Sequence, residues 1–388
     1  MLASFKSARA AHNLSTPLSI LRLVVSTGET SAPYNQFSLA LSSRQNITMC
    51  TYFKPSVPVP KEIALFEGNG SPKGFIRALR VALHAKRYDL IHAHSPHVGL
   101  LFLLVKLSMR TWLLPPTIYT VHNSYQNYKA RNQLMLYPVF AGFRSIVCCS
   151  MSTLASLPRV LRWLAGNRIH TVQNGVDLER IDRAIAARPN AARKNPFRVV
   201  AVGRLIEMKR PTTVLNAFHL GTDQEGELVL VGEGHLRAEL SEQIQRLGLQ
   251  SRVRMTGLIP RNDVFALMSD SDLCVSGSVG EGLPMAILEA MACRCPVVLS
   301  DILPHREIAD GADFIPLVRP DDTRGFAEEI RRFQAMSSSE RSTLGARCRR
   351  LVEERFSLES MHAGYERAYQ RLLNENHRRP APKLRPMA

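Results

Sequence analysis

Short runs of aliphatic and β-branched residues recur along this chain. Each closes on glycine or polar residues, and helical spacing follows most of them. In the first half these runs are LRLVVSTGE (residues 21–29), DLIHAHS (89–95), TIYTVHNS (117–124), SIVCCS (145–150) and IHTVQNG (169–175). This rhythm predicts a parallel sheet with helices on both faces. The polar stretch AARPNAARKN (186–195) reads as a linker. The rhythm then restarts with FRVVAVGRL (197–205), ELVLVGEG (227–234), VRMTGLI (253–259), LCVSGSV (273–279) and CPVVLSD (295–301), and ADFIPL (312–317) reads as a last strand. HLRAELSEQIQRLG (235–248) and RNDVFALMSDS (261–271) lie between as helices. The pattern therefore predicts an α/β fold of two doubly wound domains, spanning 16–190 and 191–357. A helix over 358–376 has no strand after it and crosses back. Residues 1–15 and the Pro- and Arg-rich residues 377–388 read as tails.

In open α/β sheets, ligands bind beyond the carboxyl ends of the strands, so polar residues there are the candidates. SVGEGLPMAILEAMA (278–292) carries two of them. Gly280 and Gly282 permit a tight turn, and Pro284 fits a first helical turn, where its missing N–H costs nothing. The free N–H groups and dipole of that helix start attract an anion. Glu281 stands beside it. Glu289, farther along a mostly apolar helix, needs a partner. Ligand hydroxyls suit both, because a carboxylate only accepts hydrogen bonds. Phosphate, sugar and ribose together describe a nucleotide-sugar. The alternative is structural: Glu281 caps the helix, and Glu289 is exposed or bonded to backbone. VGRLIEMKRP (202–211) tips the balance, because Arg204 and Lys209 follow a strand ending at Gly203 and can clamp a diphosphate. In VQNGVDLERI (172–181), Asn174 and Gly175 turn the chain and Asp177 can cap the next helix.

Taken in order with YDLIHAH, TVHNS, LVGEG and SDILPHREI, these segments resemble the GT-B glycosyltransferases, specifically glycosyltransferase family 4, over roughly residues 20–335. The resemblance implies two Rossmann-like domains facing a central cleft, the first for the acceptor and the second for the donor. It implies that Arg204 and Lys209 hold the donor diphosphate, Glu281 binds sugar hydroxyls and Glu289 the ribose. The backbone of Gly282, Leu283 and Pro284 would receive phosphate. His122 would sit under the sugar, Gly28 near the diphosphate, and the base near Leu258 and Ile259. Glu281, His122, Arg204 and Lys209 are the expected catalytic set, in a retaining transfer without a protein nucleophile. The chain departs from the family pattern in having one glycine, Gly28, after the first strand, Arg294 where glycine is usual, and Pro-His-Arg in SDILPHREI. Arg294 is thereby expected in a tight or left-handed turn.

Charge adds an acceptor-side feature. Of the net +17, residues 1–190 contribute +15 (22 Lys+Arg, 7 Asp+Glu) and residues 191–388 only +2 (28 and 26). Lys73, Arg77, Arg80, His84 and Arg87 step by four and three, along one face of a helix whose neighbouring face is apolar. Such a helix suits an anionic membrane surface or an anionic acceptor; the alternative is an ordinary solvated face. The run VGLLFLLVKLSM (98–109) is too short and too interrupted to span a bilayer. The seven cysteines form no C-x-x-C pair, which suits buried thiols in a reducing compartment.

The expectation is a glycosyltransferase moving a hexose-type sugar, from UDP first and GDP second, to a glycan or lipid-linked acceptor. It would be cytoplasmic, peripheral on the membrane, with no tightly bound cofactor. The Asp270–Asp272 DSD reads as a turn rather than a metal site, and His92 and His94 lack metal-spaced partners. A GT-B epimerase or phosphorylase is a second reading. A basic polyanion-binding module is a third, against which stands the lack of aromatic interleaving that nucleic-acid binding would use: only Trp112 and Trp163 are tryptophan.

Overall fold

The structure is a computed structural model, and it describes residues 17–28, 38–39, 41–108, 114–187 and 196–377. The two expected tails, the loop after Gly28 and most of the linker lie outside the described residues. His377 closes the last helix instead of opening the tail.

The first sheet contains β1 (Ser19–Val24), β2 (Asn46–Thr51), β3 (Ala64–Glu67), β4 (Leu90–Ala93), β5 (Thr117–Val121), β6 (Ser145–Cys148) and β7 (Ile169–Thr171). Their order is β3-β2-β1-β4-β5-β6-β7, all parallel. Helices α1 (Pro72–Ala85), α2 (Pro96–Ser108), α3 (Ala130–Gly142), α4 (Met151–Ser156) and α5 (Arg159–Ala165) connect them. The segments β2 and β3 escape the hydropathy pattern. β2 (NITMCT) has the residue types of a strand but no helical stretch before it, and β3 (ALFE) is a half-buried edge.

The second sheet follows α6 (Leu178–Ala186). It holds β8 (Arg198–Val202), β9 (Glu227–Val231), β10 (Val253–Gly257), β11 (Leu273–Ser276), β12 (Val297–Ser300) and β13 (Leu317–Val318), in the order β10-β9-β8-β11-β12-β13. Between and after them run α7 (Pro211–Gly221), α8 (Arg237–Arg246), α9 (Arg261–Ser269), α10 (Met285–Ala292), α11 (Leu303–Ala309), α12 (Thr323–Ala335) and α13 (Ser338–Arg355). The ADFIPL run is mostly not strand: pairing begins only at Leu317, because Pro316 lends its carbonyl but has no N–H.

One feature corrects the linear division at residue 190, and a second follows the expected crossover. Helix α6 packs on the second domain: Ile181 joins the core of Val200, Leu288 and Met291, and Arg349 of α13 grips Asp182 through two 2.8 Å bonds. The last helix, α14 (Leu358–His377), returns to the first sheet. Met361, Tyr365, Tyr369 and Leu372 pack there against Ile20, Val24, Leu90 and Ile118. Burying each such side chain contributes about 1.5–3 kcal/mol. The two chain crossings between domains run side by side, with Val176 N–H donating to the Phe356 carbonyl (2.8 Å) and Leu358 N–H to that of Val176 (2.9 Å). Gly175 makes this possible: a β-carbon there would lie 2.4 Å from the Ser357 carbonyl oxygen.

All seven cysteines are free and buried. Burial pushes the Cys50 thiol up to about 12, so it packs as a small apolar group. Arg294, directly after α10 and its C-cap, adopts the left-handed conformation at φ 59°. Arg294→Gly is expected to stabilise the fold by about 1 kcal/mol by relieving that backbone strain. Denaturant unfolding measures it, and an unchanged or lowered midpoint would contradict the account.

Candidate active site

Beyond β11 the chain runs out as a loop, residues 277–284, before α10 begins at Met285 with Pro284 as its N-cap. The loop seats against the first domain. A β-carbon on Gly282 would lie 2.2 Å from the carbonyl oxygen of His122, so no side chain fits there. The Glu281 carbonyl accepts from Ser124 Oγ at 2.6 Å and from Asn127 Nδ2 at 3.4 Å. The Gly282 carbonyl accepts from Ser150 Oγ at 3.0 Å. Leu283 is anchored in the core of the second domain.

The Glu281 side chain, 9% exposed, turns inward. It accepts from Ser278 Oγ at 2.8 Å and pairs with Lys209 Nζ. Lys209 closes the single 3-10 turn Glu207–Lys209 after β8, and its stem lies over Gly203, about 3.5 Å from where a β-carbon would stand. Arg210 then takes a left-handed φ of 48° ahead of Pro211, which swings the chain into α7. The two cations expected to act alike thus differ. Lys209 is neutralised by Glu281, while Arg204 is exposed and, among the described residues, makes no side-chain ion pair or hydrogen bond.

Glu289 is neither exposed nor bonded to backbone alone. It is buried in α10 and pairs with Arg261, the first residue of α9. Burial raises its pKa above the usual carboxylate range, and Arg261 opposes that. Leu258, 71% exposed, and Ile259, packed on the second core, immediately precede α9. Arg261 and Ser278 were not singled out in the sequence. Their signal is spacing alone: Ser278 lies three residues before Glu281, and Arg261 opens the helix after the Leu258–Ile259 turn.

On the first domain, Gly28 sits on the loop after β1, and Ser56 Oγ would lie 3.0 Å from a β-carbon on it. His122 follows β5 at the cleft and bonds His94 Nδ1 through Nε2 at 3.0 Å. His94 and His92 share the NH1 group of buried Arg22, at 2.9 and 2.7 Å. The lone pairs of these two histidines are thus taken by a cation. The DSD motif is structural: Asp272 accepts from Arg198 N–H at 2.8 Å, beside Arg341. Among the described residues, no three His, Cys, Asp or Glu side chains cluster as metal ligands.

Lys73, Arg77, Arg80, His84 and Arg87 are all exposed. Arg87 leaves the expected face, because α1 stops at Ala85 and Lys86 is extended. Arg80 donates to Ser108 Oγ on α2 at 3.0 Å. Helices α1, α2, α3 and α5 pack in succession, and the row exposes Leu107, Leu134 and Trp163.

A model of Glycosyltransferase Family 4 matches residues 45–180, and one of Glycosyl transferases group 1 matches residues 182–350. The chain is a GT-B glycosyltransferase resembling family 4. Among solved structures, the Anabaena protein HepE in complex with UDP and glucose superposes with a TM-score of 0.76 at 19% identity, over 91% of this chain and all of that one. Sucrose-phosphate synthase from Thermosynechococcus elongatus superposes with a TM-score of 0.74 at 21% identity, over 92% of this chain and all of that one. By sequence, the glycosyltransferase is 26% identical to the Escherichia coli UDP-Gal:alpha-D-GlcNAc-diphosphoundecaprenol alpha-1,3-galactosyltransferase, over 70% of this chain and 73% of that protein. It is 32% identical to a Campylobacter jejuni N-acetylgalactosaminyltransferase whose name specifies a diphospho-undecaprenol acceptor, over 36% of each chain.

Burial keeps two histidines at the cleft of this glycosyltransferase neutral. Burial first and Arg22 second push His122 down to about 3, and burial pushes His305 of α11 down to about 4, against the opposing pull of Glu281. An unfolded histidine titrates near 6.5. Below that pH the unfolded chain binds more protons than the folded one. Stability is therefore complete above about pH 6.5 and is lost as pH falls toward the folded values. Urea unfolding at pH 7.5 and pH 5 is expected to show this loss, and His305→Gln to make it shallower. An equal loss in the variant would refute the assignment for His305.

Proposed function

We propose that this glycosyltransferase moves a hexose-type sugar from a UDP-sugar to a glycan or lipid-linked acceptor, with retention of anomeric configuration. One observation carries the donor assignment: Lys209 and Glu281 meet in front of α10, with Arg204 exposed nearby. A diphosphate would compete with Glu281 for Lys209 and recruit Arg204 as a bidentate fork. Met285 and Ala286 open α10 with N–H groups that have no intrahelical partner, and these face the same anion. Glu281, released from Lys209, would take sugar hydroxyls, and Glu289 with Arg261 would meet the ribose. His122 would border the sugar, Gly28 the diphosphate, and Leu258 and Ile259 the base. UDP is favoured over GDP because HepE was solved with UDP and the E. coli relative is named for a UDP-sugar.

In the reaction, the bond from the sugar's anomeric carbon to the diphosphate oxygen breaks, and the acceptor hydroxyl bonds to that carbon on the same face. Its proton passes to a donor phosphate oxygen. The protein's part is electrostatic, meeting negative charge as it grows on the leaving diphosphate. Arg204→Ala, Lys209→Ala and Glu281→Ala are each expected to lower turnover about 10²–10³-fold while remaining folded. Full turnover in the Arg204/Lys209 double variant would defeat the diphosphate assignment. A thermal-shift panel of UDP- and GDP-sugars tests the carrier: UDP at 100 times its dissociation constant should add about 2.7 kcal/mol.

Two relatives are named for undecaprenol-linked acceptors, which supports a role in cell-envelope polysaccharide assembly. No helix among the described residues is long and apolar enough to cross a membrane. We propose that the first domain docks on anionic lipid through the basic face of α1 and the exposed Leu107, Leu134 and Trp163 on the helices packed in succession after it. Co-sedimentation with phosphatidylglycerol vesicles is expected at low salt and should fade at high salt. No binding at low salt would remove the docking surface.

A further inference from the structure

Strand alternation lines up a polar row on the face of the first sheet that α14 covers. Arg22 of β1 pairs in register with His92 of β4, and Thr120 and His122 continue the same parity on β5 and just beyond it. Arg22 is fully buried there. A guanidinium only donates, so each contact fixes a direction. One hydrogen of NH1 goes to His92 Nδ1 and the other to His94 Nε2. NH2 donates to Tyr369 Oη of α14 at 2.9 Å, and that hydroxyl lies 3.1 Å from His92 Nδ1.

Two tautomers follow. His92 accepts at Nδ1, so its proton is on Nε2 and is donated to Thr120 Oγ1 at 2.7 Å. His94 accepts at Nε2, so its proton is on Nδ1, facing His122 Nε2 at 3.0 Å. His122 Nε2 must then accept, which leaves Nδ1 as the nitrogen bearing its proton. The rings also stack, with 4.0 Å between the centroids of His92 and His94 and 5.2 Å between those of His94 and His122.

We propose that Arg22, acting through His94, is a positioning residue that locks His122 in its neutral Nδ1–H form with the Nε2 lone pair engaged. The consequence for catalysis rests on the placement of His122 beside the donor sugar proposed above. There it cannot serve as a general base through Nε2, and the polar group it can offer a sugar oxygen is a donor. Arg22 is itself held from the last helix through Tyr369, so the C-terminal segment helps to fix the donor that orients His94.

The tautomer is readable without donor or acceptor, by long-range nitrogen–proton NMR of the full chain labelled with ¹⁵N-histidine at pH 7, with His122→Gln assigning the signals. The expected wild-type result is a pyrrole-type Nδ1 and a pyridine-type Nε2 for His122. A pyrrole-type Nε2, or an imidazolium, would overturn the proposal. His94→Phe keeps a ring but has no N–H and should abolish the single Nδ1–H form. His94→Asn, whose amide can donate from the Nδ1 position, should restore it. An unchanged His122 signal in His94→Phe would overturn the relay. Because the wild-type spectrum decides the tautomer alone, a variant that fails to fold does not protect the proposal.

Discussion

The approach of one loop of the second domain to the first governs the cleft. Gly282 stands where any β-carbon would strike the His122 carbonyl, and the loop's carbonyls are taken by Ser124 and Ser150 across the gap. Backbone groups buried between domains need partners. The serines of the first domain supply them, and their positions set where Glu281 points. The glutamate is thus aimed by the opposite domain's hydroxyls as well as by its own loop.

A second contact steadies the same geometry. Glu307 of α11 reaches the N-terminus of α4, accepting from Met151 N–H at 2.9 Å and Ser152 N–H at 2.8 Å, with Gln173 at 2.7 Å. A carboxylate at a helix N-terminus is favourably placed against the dipole. With the paired crossings at Val176 and Phe356–Leu358, the two domains are joined by hydrogen bonds at the cleft and at the hinge. The chemistry proposed for the cleft depends on this, because electrostatic catalysis requires charges held in place before the reaction starts.

Much of the plan was legible in the sequence. Parallel strands covered on both faces are continuous apolar runs, and ten strands stood out by hydropathy; β2 lacks a helical stretch before it, β3 is a half-buried edge, and the run read for β13 meets it only at Leu317. Polar residues at strand ends marked the cleft, with Lys209 and Glu281 on loops after strands and Glu289 in the helix that follows. Their partnerships were not legible. Lys209 with Glu281 spans 72 positions and Arg261 with Glu289 spans 28, and nothing local in the chain specifies which carboxylate meets which cation. The same holds for α6, whose partner Arg349 lies 167 positions from Asp182.

By itself, the sequence determined two parallel sheets, the helix entered after Glu281 and Pro284, and a strongly basic first half. Those follow from local rules of period, capping and composition, which act over a few residues. Tertiary structure decided that the returning α14 meets Arg22 through Tyr369, that α6 crosses to the second core, and that Lys209 is neutralised while Arg204 is not. Such outcomes depend on contacts between distant segments, and their energies exist only once the chain has brought those segments together.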